Sequence, residues 1–111
     1  MIEITVKEFL ESILPVAVLM EFPEKPDARF VVLRKSSGPR ENYIDSAQIV
    51  ADSYAESLYE AATLNEMVKT ALDALVQLPE ICSSERVADY PAFDTQNRRY
   101  RYQAVQSLTH Y

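Results

Sequence analysis

The sequence predicts an α+β fold: an antiparallel β-sheet of four to five strands with two helices packed on one face, in the order α-β-β-β-α-β-β. Two stretches place apolar residues at helical spacing, one near the N-terminus and one between Ser57 and Pro79. Alternating, β-branched and aromatic runs fill the intervals before and after the second stretch. Prolines at 15, 23, 26 and 79, and the Gly38-Pro39 pair, punctuate the boundaries. With 111 residues, 48% of them hydrophobic and only one glycine, residues 1–111 are expected to form a single domain whose core offsets the cost of ordering the chain.

Thr5-Val6-Lys7-Glu8 has the spacing of a capping box, with Ile4 and Phe9 at the positions of a hydrophobic staple, so the first helix is expected to open at Thr5. Val6, Phe9, Leu10 and Ile13 fall on one face, and Pro15 ends the run because it has no N–H to donate. Val16 to Glu21 follows as a strand, stopped by Pro23 and the Pro26-Asp27 turn, and Arg29 to Lys35 is its expected antiparallel partner. Ser36 to Arg40 holds the only glycine beside a proline and is expected to be a loop or hairpin tip.

Tyr43 to Tyr54 alternates, with Ile49, Ala51, Ser53 and Ala55 on one side and Gln48, Val50, Asp52 and Tyr54 on the other. The first set is small and invites a closely packed helix. Ser57 to Glu60 repeats the capping-box spacing and opens a helix of about six turns ending at Pro79. Its apolar face comprises Leu58, Ala61, Leu64, Val68, Ala71, Leu72, Leu75 and Val76, and its wet face carries the expected pairs Glu66 with Lys69 and Lys69 with Asp73. The last third reads as a hairpin: Ile81 to Val87, a loop through Tyr90-Pro91 and Asp94 to Asn97, then Arg98 to Thr109. In its final strand Tyr100, Tyr102, Ala104 and Leu108 oppose Arg99, Arg101, Gln103 and Ser107.

A net charge of −6 with a pI near 4.7 argues against a protein whose main task is gripping nucleic acid, because phosphate binding needs clustered Lys and Arg. Met1-Ile-Glu-Ile-Thr5 lacks the basic and apolar regions of a secretory signal, and no apolar run has the length of a bilayer span, so the expected compartment is the cytosol, without a membrane partner. Cys82 stands alone and is expected to be a small buried hydrophobe.

Chemistry is expected to be absent. The one histidine, His110, sits where chain ends fray; no Cys and His set has zinc spacing, no acidic loop has EF-hand spacing, and one glycine is too few for a phosphate-cradling loop. The carboxylate pairs Glu8 with Glu11, Asp45 with Asp52 and Asp89 with Asp94 read as a helix cap, solvated faces and turns. No enzyme activity, cofactor or metal is expected. Arg99 and Arg101, alternating with Tyr100 and Tyr102, read first as the wet face of a half-buried strand and Arg34 to Arg40 as a solvated loop; the other reading, suited to arginine forks, makes Arg34, Lys35, Arg40, Tyr43, Arg99 and Arg101 the candidate subunit or partner interface.

Arg29-Phe30-Val31-Val32-Leu33-Arg34-Lys35 followed by Gly38-Pro39-Arg40, then Ala51-Asp-Ser-Tyr54-Ala55 before a long helix, then Tyr90-Pro91 to Asp94 and Arg99-Tyr100-Arg101-Tyr102, resembles the tail-terminator, or tail-to-head joining, proteins of long-tailed bacteriophages and prophages. The similarity covers most of the chain through the order and spacing of short pieces. It departs where the family frequently has a glycine, here Tyr90, and a tryptophan, here Tyr54. The resemblance implies a homo-hexameric ring that caps the head-proximal end of the tail tube and stops its polymerisation. Its partners would be further copies of itself, the tail tube protein and the head connector, with DNA passing through unbound. It implies a virion protein of the tail-head junction, assembled in the host cytoplasm. The alternatives are a head-closure or neck adaptor of the same assembly and a small cytosolic ligand-binding α+β domain.

Overall fold

The computed structural model describes residues 2–25, 27–41, 44–94 and 99–110, and for residues 36–41, 44–46 and 92–94 the backbone alone. The elements run α1 (Ile2–Ile13), β1 (Ala17–Leu19), β2 (Phe30–Glu41), β3 (Ile44–Ala55), α2 (Leu58–Asp73) continued by a 3₁₀ turn (Ala74–Gln77), β4 (Ile81–Asp94) and β5 (Arg99–His110). The sheet has five strands in the order β1-β2-β3-β5-β4, and both helices pack on one of its faces, as expected for this α+β class.

The pleat sorts every strand into an inner, helix-covered face and an outer face. In register across the inner face lie Leu33, Ala51 and Ala104, and one step along Lys35, Ile49 and Gln106. Val6, Leu10, Val18, Val31, Leu33, Ile49, Leu64, Val68, Leu72, Leu75 and Leu108 close into one core there. Ala47, Ala51 and Ala104 leave room for α2 to approach the middle of the sheet, which is the packing that the small-residue alternation predicts. On the outer face a second, smaller cluster forms where Phe22 meets Phe30 and Tyr54 edge-on at 5.4 and 5.3 Å, while Phe30 and Tyr54 stack at 5.0 Å.

Several boundaries differ from the sequence expectation. α1 begins at Ile2, so Thr5 and Glu8 lie inside the helix and form no cap, and Ile4 is 43% exposed where a staple would bury it. The apolar row Ile2, Val6, Leu10 at four-residue spacing carries the helix one turn further upstream than the polar signal indicated. Ile13, expected in the core, is exposed, and the helix ends as Leu14 N–H donates to the Leu10 carbonyl just before Pro15.

β1 is three residues long and runs parallel to β2, pairing Val18 with Val31, where an antiparallel partnership was expected. The parallel pairing excludes a tight hairpin between β1 and β2, and Pro26 of the expected Pro26-Asp27 turn lies outside the described residues. The connection passes Phe22 over the outer face and returns the chain in the same direction, which makes the sheet mixed.

The expected loop at Ser36 to Arg40 is strand. β2 continues to Glu41, and between the pairs Ser37 with Ala47 and Arg40 with Asp45 it carries two residues against one. Gly38 and Pro39 are that bulge, which accommodates a residue with no N–H inside a ladder. Asn42 and Tyr43, between β2 and β3 in sequence, lie outside the described residues.

Tyr90 and Pro91, also expected in a loop, pair with Gln103 and Tyr102 inside β4. β4 is an edge strand, so Pro91 is tolerated there. Residues 95–98 lie outside the described residues. Two register shifts leave Cys82 and Val87 as extra residues of β4, and both are exposed, so Cys82 is not the buried hydrophobe expected from its solitude.

α2 opens as predicted, with the Ser57 hydroxyl accepting from Glu60 N–H at 3.2 Å. Its continuation tightens to a 3₁₀ turn, which changes the angular step per residue and leaves Val76 exposed although the regular wheel placed it inward. Leu58, in the first turn, is exposed as well.

Candidate interface on the outer sheet face

Three of the six candidate residues, Arg34, Arg99 and Arg101, lie on the side of the sheet away from the helices, where Phe30, Val32, Val50, Asp52 and Tyr54 are buried. The rows of that side, read across β2, β3, β5 and β4, are Phe30, Tyr54, Arg101, Ala92; then Val32, Asp52, Gln103, Tyr90; then Arg34, Val50, Val105, Ala88. Arg34, Arg99 and Arg101 therefore share one face, because they occupy like-parity positions of strands held in register. Lys35 does not join them: one residue on from Arg34, it turns to the helix side and meets Glu3 of α1 at 3.2 Å. Arg40 lies opposite Asp45 near the far end of the β2–β3 hairpin, and Tyr43 lies outside the described residues.

Arg34 and Arg99 are held by their surroundings. Arg34 directs Nε and Nη2 to one oxygen of Asp52, both at 3.2 Å, with the carboxylate buried at 2% exposure and the guanidinium half in solvent. Arg99 donates from Nη1 to the Ala28 carbonyl at 3.3 Å and places its guanidinium carbon 5.6 Å from the centre of the Phe30 ring. Fixing long side chains before any partner arrives lowers the ordering cost of an interface. Beside them Tyr90 is 45% exposed and Val87, at its bulge, 55% exposed.

The inner side of β4 is tied to α2 by a polar network that sequence reasoning did not anticipate. Gln106, fully buried, donates from Nε2 to Asp73 Oδ1 at 3.1 Å and to Ser84 Oγ at 2.9 Å, and Ser84 in turn donates to the Leu72 carbonyl at 2.8 Å. Arg86 reaches Asp73 at 2.8 Å and the Lys69 carbonyl at 3.3 Å. These bonds satisfy carbonyls in the last turns of α2. The expected Lys69 to Asp73 pair is replaced: Lys69 bonds Glu66 at 2.8 Å and Asp89 of β4 at 3.1 Å, while Asp73 turns to Arg86. The hydrogen bond to Glu66, reinforced by Asp89, raises the Lys69 pKa above its usual 10.5 against the opposing effect of burial.

Among the described residues no group of three or more His, Cys, Asp or Glu is arranged to hold a metal ion, and no helix is long and apolar enough to cross a membrane. His110 is a strand residue, buried to 9% exposure opposite Asp45 and Ile81, rather than part of a frayed end. An open, mostly apolar groove of about 460 Å³ lies between the end of α1 and α2, lined by Ile13, Leu14, Pro15, Met67 and Ala71 and by two polar residues engaged within α2, Glu66 with Lys69 and Thr70 with the Glu66 carbonyl. It gathers no convergent polar groups of the kind that orient a substrate.

Charge is divided between the layers. α1, α2 and its 3₁₀ continuation hold six carboxylates and two lysines, −4 of the net charge of −6, and Glu56 and Glu80 flank the second helical stretch. The helices are therefore acidic, although Lys35 and Arg86 of the sheet pair with Glu3 and Asp73 on that side, while the outer sheet face carries Arg34, Arg99 and Arg101 against Asp52 and Glu85, with Asp94 in register opposite Arg99.

No protein-family model matches the chain, and no curated protein matches it significantly.

Proposed function

We propose that this chain is a structural virion protein of the tail-terminator kind: a ring of copies that caps the head-proximal end of a phage tail tube, stops its polymerisation and presents a surface to the head connector. The observation that carries the reading is the presence of two unlike faces on one small subunit, an acidic helical layer and an opposite sheet face that carries Arg34, Arg99 and Arg101. A closed ring of identical copies is heterologous, and each copy must offer two different, complementary surfaces. The segment order that resembles the family supplies the assembly, and the action follows from shape and charge, with no bond made or broken.

Adding the purified protein to growing tail tubes tests this directly. Tube growth should stop, with rings visible by negative-stain microscopy at one end only. Tubes that continue to lengthen without end density would contradict the reading, and rings that bind isolated head connectors alone would assign the protein to the neck.

A further inference from the structure

The exposed first turn of α2 matches the outer sheet face in chemistry. Tyr59 is 81% exposed, the most exposed large apolar side chain among the described residues, with Leu58 at its side and the exposed carboxylates of Glu56 and Glu60 flanking it. An aromatic side chain projecting from an acidic helix start is an anchor without a pocket within its own subunit. The outer face offers the counterpart: Tyr90 and Val105 for the ring, and the guanidinium groups of Arg34, Arg99 and Arg101 for the carboxylates. The two surfaces sit in opposite layers of the molecule, so they cannot meet within one copy.

We propose that the outer sheet face of one copy is covered by the first turn of α2 of a second copy, Tyr59 seating beside Tyr90 while Glu56 and Glu60 face the arginines. This contact rests on the ring reading above and names its two surfaces. The occupant is a second copy because the acidic layer of this same chain provides the complementary charge and the unpartnered aromatic. The contact is head-to-tail, so it propagates from copy to copy until it closes, and it weakens with salt because exposed charges are screened.

Sedimentation velocity of the full chain tests the proposal, using Tyr59→Ala and Tyr90→Glu, two exposed positions, with circular dichroism to confirm that both variants fold. Each variant alone should associate about tenfold or more weakly than the parent chain. Their mixture should form a one-to-one dimer, because one copy keeps an intact α2 turn and the other an intact sheet face. A parent chain that stays monomeric, variants that assemble as it does, or a mixture that fails to pair overturns the contact. Tube-end capping by the parent chain is measured separately, so capping that survives both substitutions would sink this contact and leave the terminator reading standing.

Discussion

At the scale of single residues, Asp52 shows how the outer face keeps its order. A carboxylate at 2% exposure is costly unless it is hydrogen-bonded, and the Arg34 fork meets it at 3.2 Å. Arg34→Ala is expected to lower stability by about 1–3 kcal/mol in urea titrations, and Arg34→Lys to recover only part of it, because an ammonium cannot reproduce the fork. Cys82 makes a second prediction. As the extra residue of a bulge it should react with a thiol reagent in the native protein at close to the rate measured in denaturant; protection until unfolding would contradict its placement. The sequence alone suggested burial for Cys82 because a lone cysteine is on average a small hydrophobe, and a bulge on an edge strand leaves no periodic signal. Phe30 and Tyr54, by contrast, were legible as alternating strand residues, although their stacking with Phe22 depends on a connection whose path no local pattern specifies.

At the scale of elements, α2 was the most legible part of the chain. The Ser57 cap and the row Ala61, Leu64, Val68, Ala71, Leu72 and Leu75 all stand as read, since a cap and a long apolar stripe agree with each other. Ser57→Ala should cost about 1 kcal/mol by thermal unfolding. Where local and tertiary signals disagree, packing decides: the burial of Ile2 overrides the capping box at Thr5, and the ladder with β3 carries β2 through Gly38 and Pro39. The binding of α2 to β4 was not legible, because Lys69 to Asp89 and Arg86 to Asp73 join residues far apart in sequence. Lys69 gives that junction a pH signature. Its raised pKa contributes stability that is fully present below 10.5, the usual value, and lost as pH rises through the higher folded value. Alkaline unfolding curves of Lys69→Met should therefore lack part of the decline that the parent chain shows above that pH. Equal declines in both would contradict it.

At the scale of the whole molecule, the division of charge between layers was present in the sequence as a set of counts, but it acquired meaning only when the strand order placed both helices on one side. Of the proposed interface residues, Arg34, Arg99 and Arg101 converge on the outer face, while Lys35 turns inward to Glu3, a separation that follows from the alternation of a strand. Tyr59 went unnoticed because its place in a capping turn suggested nothing beyond a helix start, and its exposure of 81% is a tertiary fact. If the acidic and arginine-bearing layers meet in a ring, assembly should weaken as ionic strength rises, and light scattering across a salt series reads that trend. The central proposal, that the protein ends a phage tail tube, is tested most directly by deleting the gene from the genome that carries it and examining, by electron microscopy, any phage particles produced. Full heads beside unattached tails of abnormal and variable length are the predicted result, whereas virions of normal form and tail length would contradict it.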